Sequence, residues 1–301
     1  RDFELTWTPR AGSVPSVGVF RERVGDSDYV IGFVTPPLAS AEQVRRPREV
    51  ILVIDNSGSM GGTSIREAKA SLEYALGRLA PEDRFNVIRF DNTCDMLHPD
   101  AVPATPASLA EARRWVGRLQ ANGGTEMVPA MRAALADRRA AEDSATLRQV
   151  VFLTDGAIGN ESELFDTIAG MRGRSRGFMV GIGSAPNPYL MTRAAQTGRG
   201  TFTPIGARGQ VETRMRALFE KLENPAVTAL SARLSVSAAD VTPDTLPDLY
   251  RGEPLVIAAR LPGTSALEGA ELHVEGMIGD QPWTATVPLG RAQEGRGLSK
   301  L

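Results

Sequence analysis

The chain has 301 residues, 42% of them hydrophobic and 23% charged, with a formal net charge of -2. That length suits about two domains, each able to bury a core, and the near-neutral balance excludes an overall field drawing the protein to nucleic acid or acidic lipid. A single cysteine, Cys94, excludes an internal disulfide, and no apolar run approaches the roughly 18 residues of a membrane-spanning helix.

The chain opens on RDFELTWTP, without Met and without a signal-peptide pattern. We read it as a piece of a longer protein. Residues 1–38 read as β strands. Phe3, Leu5 and Trp7 alternate with polar neighbours, the period of a half-buried strand. SVGVFRERV and DYVIGFV flank a hairpin turn at Gly25, Asp26 and Ser27. Pro36 and Pro37 close this piece, and 39–48 reads as a linker. Arg45, Arg46 and Arg48, like Arg172, Arg174 and Arg176, are expected on a solvated surface.

From 49 to 223 strands and helices alternate. Val50 to Ile54 is a buried strand. Ile65, Ala68, Leu72, Leu76 and Leu79 mark one helix face at 3.6 spacing. Phe85 to Phe90 is a strand. Helical stripes follow at Leu109, Ala112, Trp115, Val116 and Leu119, and at Val128, Met131 and Leu135. Gln149 to Thr154 is a second strongly apolar strand, followed by a helix with Leu164, Phe165, Ile168 and Met171. Phe178 to Ile182 and Thr201 to Pro204 read as strands, the latter at an edge, and Val211 to Leu222 as a last helix. The expected fold is α/β: a doubly wound, mostly parallel sheet with helices on both faces. After Asn224 and Pro225 short strands return over 226–290: Ala229 to Val236, Pro254 to Leu261, Ala270 to Met277 and Pro282 to Pro288. The two β pieces are expected to build one sandwich with the α/β domain inserted. The polar tail 291–301 is expected to fray.

The chemistry gathers at two strand ends. EVILVI runs into Asp55 and QVVFLT into Asp155. In an open doubly wound sheet, ligands sit beyond the carboxyl ends of the strands, where the winding reverses. With these strands adjacent, both carboxylates meet one crevice, beside the hydroxyls of Ser57 and Ser59. Two carboxylates with hydroxyls and no His or Cys form a hard-oxygen site suited to Mg²⁺, Mn²⁺ or Ca²⁺, not zinc. Singly, either aspartate reads equally well as a helix cap. Together with the serines, capping explains too little.

DNSGSM resembles the Asp-x-Ser-x-Ser signature of the von Willebrand factor type A domain and its metal-ion-dependent adhesion site. That family adds a threonine from a later loop and an aspartate after a later strand. NGGTEM at 122–127 is similar to the threonine loop and places that role on Thr125; FLTDG at 152–156 is similar to the aspartate loop, at Asp155. The resemblance spans roughly 49–223. It implies that Asp55, Ser57, Ser59, Thr125 and Asp155 hold Mg²⁺ (or Mn²⁺ or Ca²⁺). The sixth position is then left for an acidic side chain of a protein or extracellular-matrix partner. Asn160 and Glu161 are expected on the same rim, contacting the partner or serving the loop. The layout also resembles the inter-alpha-trypsin inhibitor heavy chains and bacterial proteins that carry a β-rich VIT domain ahead of the A-type domain, and RDFELTWTP resembles the very end of that preceding module.

Other residues carry bland readings. His98 and His273 stand alone, Cys94 has no nucleophile pattern, and no GK[ST] follows the glycines near Ser59. Trp7, Trp115 and Trp283 are expected in cores. Asp91, Asp95 and Asp100 are expected as solvated loop charge, with a second cation site as the sharper alternative. The resulting expectation is a non-enzymatic, metal-dependent protein-binding or adhesion module, extracellular, at the cell surface or periplasmic, with a cytoplasmic place left open. Neither nucleic acid binding nor membrane insertion is expected. The first alternative is an intracellular domain of the same type serving an AAA+ ATPase. The second is a metal-assisted hydrolase, for which Glu161 or Glu126 must act as base.

Overall fold

The structure is a computed structural model that describes residues 14–37, 46–140, 146–156, 160–183, 186–223, 225–236, 240–243, 245–250, 254–262, 267, 269–279 and 281–300. Two units separate: Arg45–Glu223, and a second made from both flanks, Arg1–Val44 with Asn224–Leu301. The strand expected at Phe3 to Trp7, most of the linker 39–48, and Arg45 lie outside the described residues.

The flanking unit begins with β1 (Ser16–Val24) and β2 (Ser27–Thr35). They pair antiparallel about Gly25 and Asp26, with Val24 opposite Ser27. Gly25 has φ 58°, which a tight hairpin turn needs and glycine adopts without strain.

The α/β unit runs β3 (Arg48–Asp55), α1 (Thr63–Gly77), β4 (Arg84–Phe90), β5 (Cys94–Met96), β6 (Val102–Pro103), α2 (Pro106–Arg118), α3 (Met127–Leu135), β7 (Leu147–Thr154), α4 (Glu161–Met171), β8 (Arg176–Ile182), α5 (Pro188–Thr197), β9 (Phe202–Ile205) and α6 (Val211–Glu223). The sheet order is β5-β4-β3-β7-β8-β9, with β6 beside β4. All pairings from β4 to β9 across the centre are parallel; only β5 and β6 run against β4. The chain goes from β3 outward to β4, then returns to lay β7 on the other side of β3. The winding therefore reverses between β3 and β7.

Every residue of β3 is buried, as a central strand covered on both faces must be. Ile51, Val53, Val150 and Phe152 pack with α3, α4 and α5 through Met131, Ile168, Leu190 and Ala194. On the other face α1 packs with α2 and α6, burying Leu72, Leu76, Met215 and Phe219. The helix at α5 escapes sequence reading. Pro186 and Pro188 suggest loop, and its buried face uses the small residues Ala194 and Ala195 beside Leu190 and Met191. The legible signal was Asn187 before Pro188: its side chain accepts the Leu190 N–H as an N-cap, and Pro188 takes the first helical position. The short strands β5 and β6 escape for lack of length.

Arg48, expected on a solvated surface, is fully buried. Its guanidinium meets Asp83 at 2.7 Å, both side chains being 0% exposed. Its backbone N–H donates to the same carboxylate at 3.0 Å and its Nη2 to the Arg78 carbonyl at 3.1 Å. Beside it Arg148 meets Glu49 at 2.8 Å, also buried. Arg174 and Arg176 are half-buried, Arg174 against Asp137 at 2.6 Å. These cations face inward because carboxylates at the amino-terminal edge of the sheet need a partner out of water. Trp115 and Trp283, expected in cores, are only half-buried. Trp7 lies outside the described residues.

The flanking unit continues with β10 (Pro225–Leu234), β11 (Asp240–Thr242), β12 (Leu249–Tyr250), β13 (Leu255–Pro262), β14 (Glu271–Ile278), β15 (Gln281–Pro288) and β16 (Gln293–Glu294). They form a sheet β11-β13-β2-β1-β16 and a sheet β12-β10-β14-β15. One apolar core joins them, with Val19, Val30 and Val34 from the amino-terminal flank against Val227, Leu230 and Leu272 from the carboxyl-terminal one. The tail expected to fray is paired instead. Gln293 and Glu294 lie parallel to Phe20 and Arg21, and the Glu22 carboxylate accepts the N–H groups of Gly297 at 2.7 Å and Ser299 at 3.0 Å. Polar composition concealed this because the contacts are a short main-chain ladder and backbone N–H groups meeting a carboxylate, which no apolar pattern announces.

Asp83→Ala leaves the buried Arg48 guanidinium with only the more distant Glu223 carboxylate, 3.9 Å away. We expect a loss of about 3–5 kcal/mol, read as a fall in the urea midpoint of the far-ultraviolet helix signal. Among the described residues all α-helices belong to the α/β unit, so that signal reports it. An unchanged midpoint would show that the pair carries no net weight.

Candidate metal centre

Asp55 ends β3 and is 0% exposed. Its Oδ1 accepts the Ser57 backbone N–H at 2.8 Å, and its Oδ2 accepts the Thr154 hydroxyl at 2.6 Å. The parallel register explains the second bond: Ile54 stands opposite Leu153, which brings the next residue of each strand together. Thr154 also accepts the Gly156 N–H at 3.0 Å, turning the chain past Asp155. Burial pushes the Asp55 carboxyl above its ordinary range. The hydrogen bonds from Ser57 and Thr154 oppose that rise, and the nearby charge of Asp155 adds to it. The two aspartates therefore feel each other across the switch point.

Ser57 is buried and Ser59 exposed, with their hydroxyl oxygens 3.0 Å apart. Adjacent oxygens of an octahedral Mg²⁺ shell, at metal–oxygen distances of about 2.0–2.1 Å, lie roughly 2.9 Å apart. The serine spacing fits such an edge. A carboxylate raised by burial, with a second carboxylate adding to the rise, is also the environment that a divalent cation relieves. Among the described residues no group of three or more His, Cys, Asp or Glu gathers to hold a metal. The oxygen set here is hydroxyls with two carboxylates, the donor chemistry of a hard cation.

Thr125 is half-buried in the loop before α3. That loop is sewn to the serine loop: Gly58 N–H donates to the Gly123 carbonyl at 3.0 Å, and Asn122 N–H to the Asn56 carbonyl at 2.8 Å. Gly123 has φ 76°, the left-handed region, so a glycine stands where the chain must turn. Asn160 is the exposed N-cap residue of α4 and donates to Glu163 at 3.2 Å. Glu161 opens α4 and accepts from Asn187 at 3.2 Å; the Asn187 N–H in turn reaches the Asp155 carbonyl at 3.4 Å. Residues 157–159 of the same loop lie outside the described residues.

Sequence reading missed three residues here, Thr154, Asn56 and Asn92, and took Asp91 as solvated loop charge with a second cation site as the alternative. Asn56 is buried, and its Nδ2 donates to the Asp91 carboxylate and to the Gln120 carbonyl, both at 3.2 Å. Asp91 also accepts from Thr93 N–H at 2.8 Å and pairs with Arg89 at 2.7 Å. Burial pushes its carboxyl up, but the Thr93 bonds and the Arg89 charge outweigh that and hold it below the ordinary range. Asp95 pairs with the same arginine, and Asp100 with Arg139 at 3.8 Å. These acids are thus met by arginines, which removes the sharper reading of a second cation site. His98 stacks edge-on to Phe85, His273 bonds Thr286, and burial pushes the Cys94 thiol up, away from a reactive thiolate.

With this geometry in hand, a family model described as the von Willebrand factor type A domain matches residues 48–203. The chain belongs to that family. Human inter-alpha-trypsin inhibitor heavy chain H4 is 28% identical over 71% of this chain and 24% of its own length. A von Willebrand factor A domain-containing protein of Dictyostelium discoideum is 27% identical over 78% of this chain and 25% of its own. The chain thus spans about a quarter of the length of the curated relatives it matches. Among solved structures, the von Willebrand factor type A protein from Catenulispora acidiphila shares the fold, with a TM-score of 0.71 at 17% identity, covering 98% of this chain and 77% of that one. VWA domains mediate protein–protein interactions and commonly carry a divalent metal at a metal-ion-dependent adhesion site. No helix among the described residues is long and apolar enough to cross a membrane.

Because its folded-state value is raised, Asp55 contributes most to ion-free stability below its ordinary range, and that contribution is lost as pH rises through the raised value. Asp55→Asn removes the titrating charge. In EDTA we expect the variant to melt above wild type, with the gap opening as pH rises from the ordinary carboxylate range toward neutrality. A gap that stays constant across that range would contradict a buried, raised carboxyl.

Proposed function

We propose that the α/β unit is a non-enzymatic, metal-dependent protein-binding module that engages an Asp or Glu side chain of a protein or matrix partner. The observation that carries this reading is the placement of Asp55 and Asp155 at the carboxyl ends of the two strands flanking the switch point, with Ser57, Ser59 and the Thr125 loop beside them. Mg²⁺, with Mn²⁺ or Ca²⁺ in its place, would supply an electrophilic centre for the partner's carboxylate. Ser57, Ser59 and Thr125 would offer neutral oxygens, so the shell keeps few formal charges and an incoming carboxylate is a strong ligand. Asp55 and Asp155 would supply the negative charge that holds the ion, and Thr154 orients Asp55 by its hydroxyl. Asn160 and Glu161 stand at the start of α4, on the loop that follows Asp155, and are the rim residues offered to the partner. Among the described residues, neither histidine belongs to this cluster, which supports binding over hydrolysis. The sandwich made from both flanks, and the similarity to the heavy chains, favour a place outside the cell or at its surface over service to an intracellular ATPase.

Calorimetry with MgCl₂, MnCl₂ and CaCl₂ on wild type and Asp55→Ala tests this. We expect saturable binding to wild type that disappears in the variant while circular dichroism stays unchanged. Equal heats from both proteins would remove the proposed centre.

A further inference from the structure

The loop after β4 contributes none of the five oxygens assigned to the ion, yet it touches two of the three loops that do. The Gly124 N–H donates to the Asn92 side-chain oxygen at 2.6 Å. The Glu126 N–H donates to the Asp91 carbonyl at 2.8 Å. Thr125 sits between these two anchored residues, so the chain is tied to the β4 exit at the residue before it and at the residue after it. On the opposite side the Asp91 carboxylate accepts from Asn56, the residue between Asp55 and Ser57, at 3.2 Å. Asn92 also packs against the glycines. A Cβ on Gly124 would stand 2.4 Å from its Oδ1, and one on Gly123 3.1 Å from its Nδ2. That approach explains two consecutive glycines ahead of Thr125. Gly124, unlike Gly123, is not among the positive-φ residues, so a side chain placed there would be met by Asn92 and would have to push its amide aside.

We propose that Asp91 and Asn92 are positioning residues for the metal centre: by clamping Asn56 and the backbone on both sides of Thr125, they set the threonine hydroxyl against the serine pair, so that ion affinity depends on a loop that supplies no ligand. The inference rests on the reading of the centre given above. Its physical basis is that a hydroxyl is a weak ligand whose worth depends on being held in place before the ion arrives. Asn92 is exposed and outside the apolar core, so its truncation disturbs no packing of the sheet.

Mg²⁺ titrations of wild type, Asn92→Ala, Asn92→Asp, Gly124→Ala and the double variant Asn92→Ala/Gly124→Ala test it, each with a melt in EDTA and hydrogen exchange at the Gly124 amide. We expect Asn92→Ala to bind Mg²⁺ about 10–100-fold more weakly, with faster exchange at Gly124 and an EDTA melt close to wild type. Asn92→Asp keeps the acceptor and should restore most of the affinity. Gly124→Ala should weaken binding by pushing Asn92 away, and the double variant should be no worse than the worse single one. Wild-type binding with Asn92→Ala within twofold overturns this inference alone. Rescue failing in Asn92→Asp while Gly124 stays protected does the same. Should Asn92→Ala prove unfolded, the decision passes to Gly124→Ala and Asn92→Asp. A wild type that binds no Mg²⁺ and matches Asp55→Ala removes the centre, and this inference with it.

Discussion

Burying the Asp55 carboxylate at the end of a fully buried strand is the constraint around which the α/β unit is arranged. Taking such a group from water is costly unless hydrogen bonds or an opposite charge replace the lost hydration. Here a peptide N–H two residues on and a hydroxyl from the neighbouring strand meet its two oxygens. The first needs the tight turn at Asn56 and Ser57. The second needs β3 and β7 adjacent, parallel and in the observed register. Doubly wound order supplies that adjacency, because the crossover from β4 returns past β3.

The two ends of the sheet treat carboxylates differently. At the amino-terminal edge Asp83 and Glu49 are met by the guanidinium groups of Arg48 and Arg148. Those pairs close the charge within the protein. At the carboxyl-terminal edge Asp55 is met by an N–H and a hydroxyl and is raised further by Asp155. Hydrogen bonds of that kind orient a carboxylate without cancelling its charge. Structure-holding ion pairs and the crevice at Asp55 and Asp155 are thus separated by the length of one strand.

Much of this was legible in the chain. Val50 to Ile54 and Gln149 to Thr154 announce themselves as buried strands, and the helix faces at Ile65 to Leu79 and Val128 to Leu135 follow a 3.6 period. Asp55, Ser57 and Ser59 stand in one short loop, where spacing alone places their oxygens together. The misses share a cause. Arg48 looks like surface because nothing local tells that Asp83 lies beside it, 35 positions on. The 291–300 segment looks frayed because its partners, β1 and Glu22, stand at the other end of the chain. Likewise α5 hides behind two prolines and a face of small residues, though its asparagine cap was readable.

What the sequence determined by itself was therefore whatever rests on neighbours in the chain: strand and helix type, the alternation that dictates a doubly wound sheet, and the residue types of a hard-oxygen loop. Tertiary structure alone decided which strands are adjacent, that Thr154 rather than another residue holds Asp55, that Asn56 turns inward to Asp91, and that Asn92 closes on Gly124. Those are contacts across 32 to 99 positions of chain. Local propensity carries no information on such pairs; they exist only once the sheet order and register have brought the loops to one end.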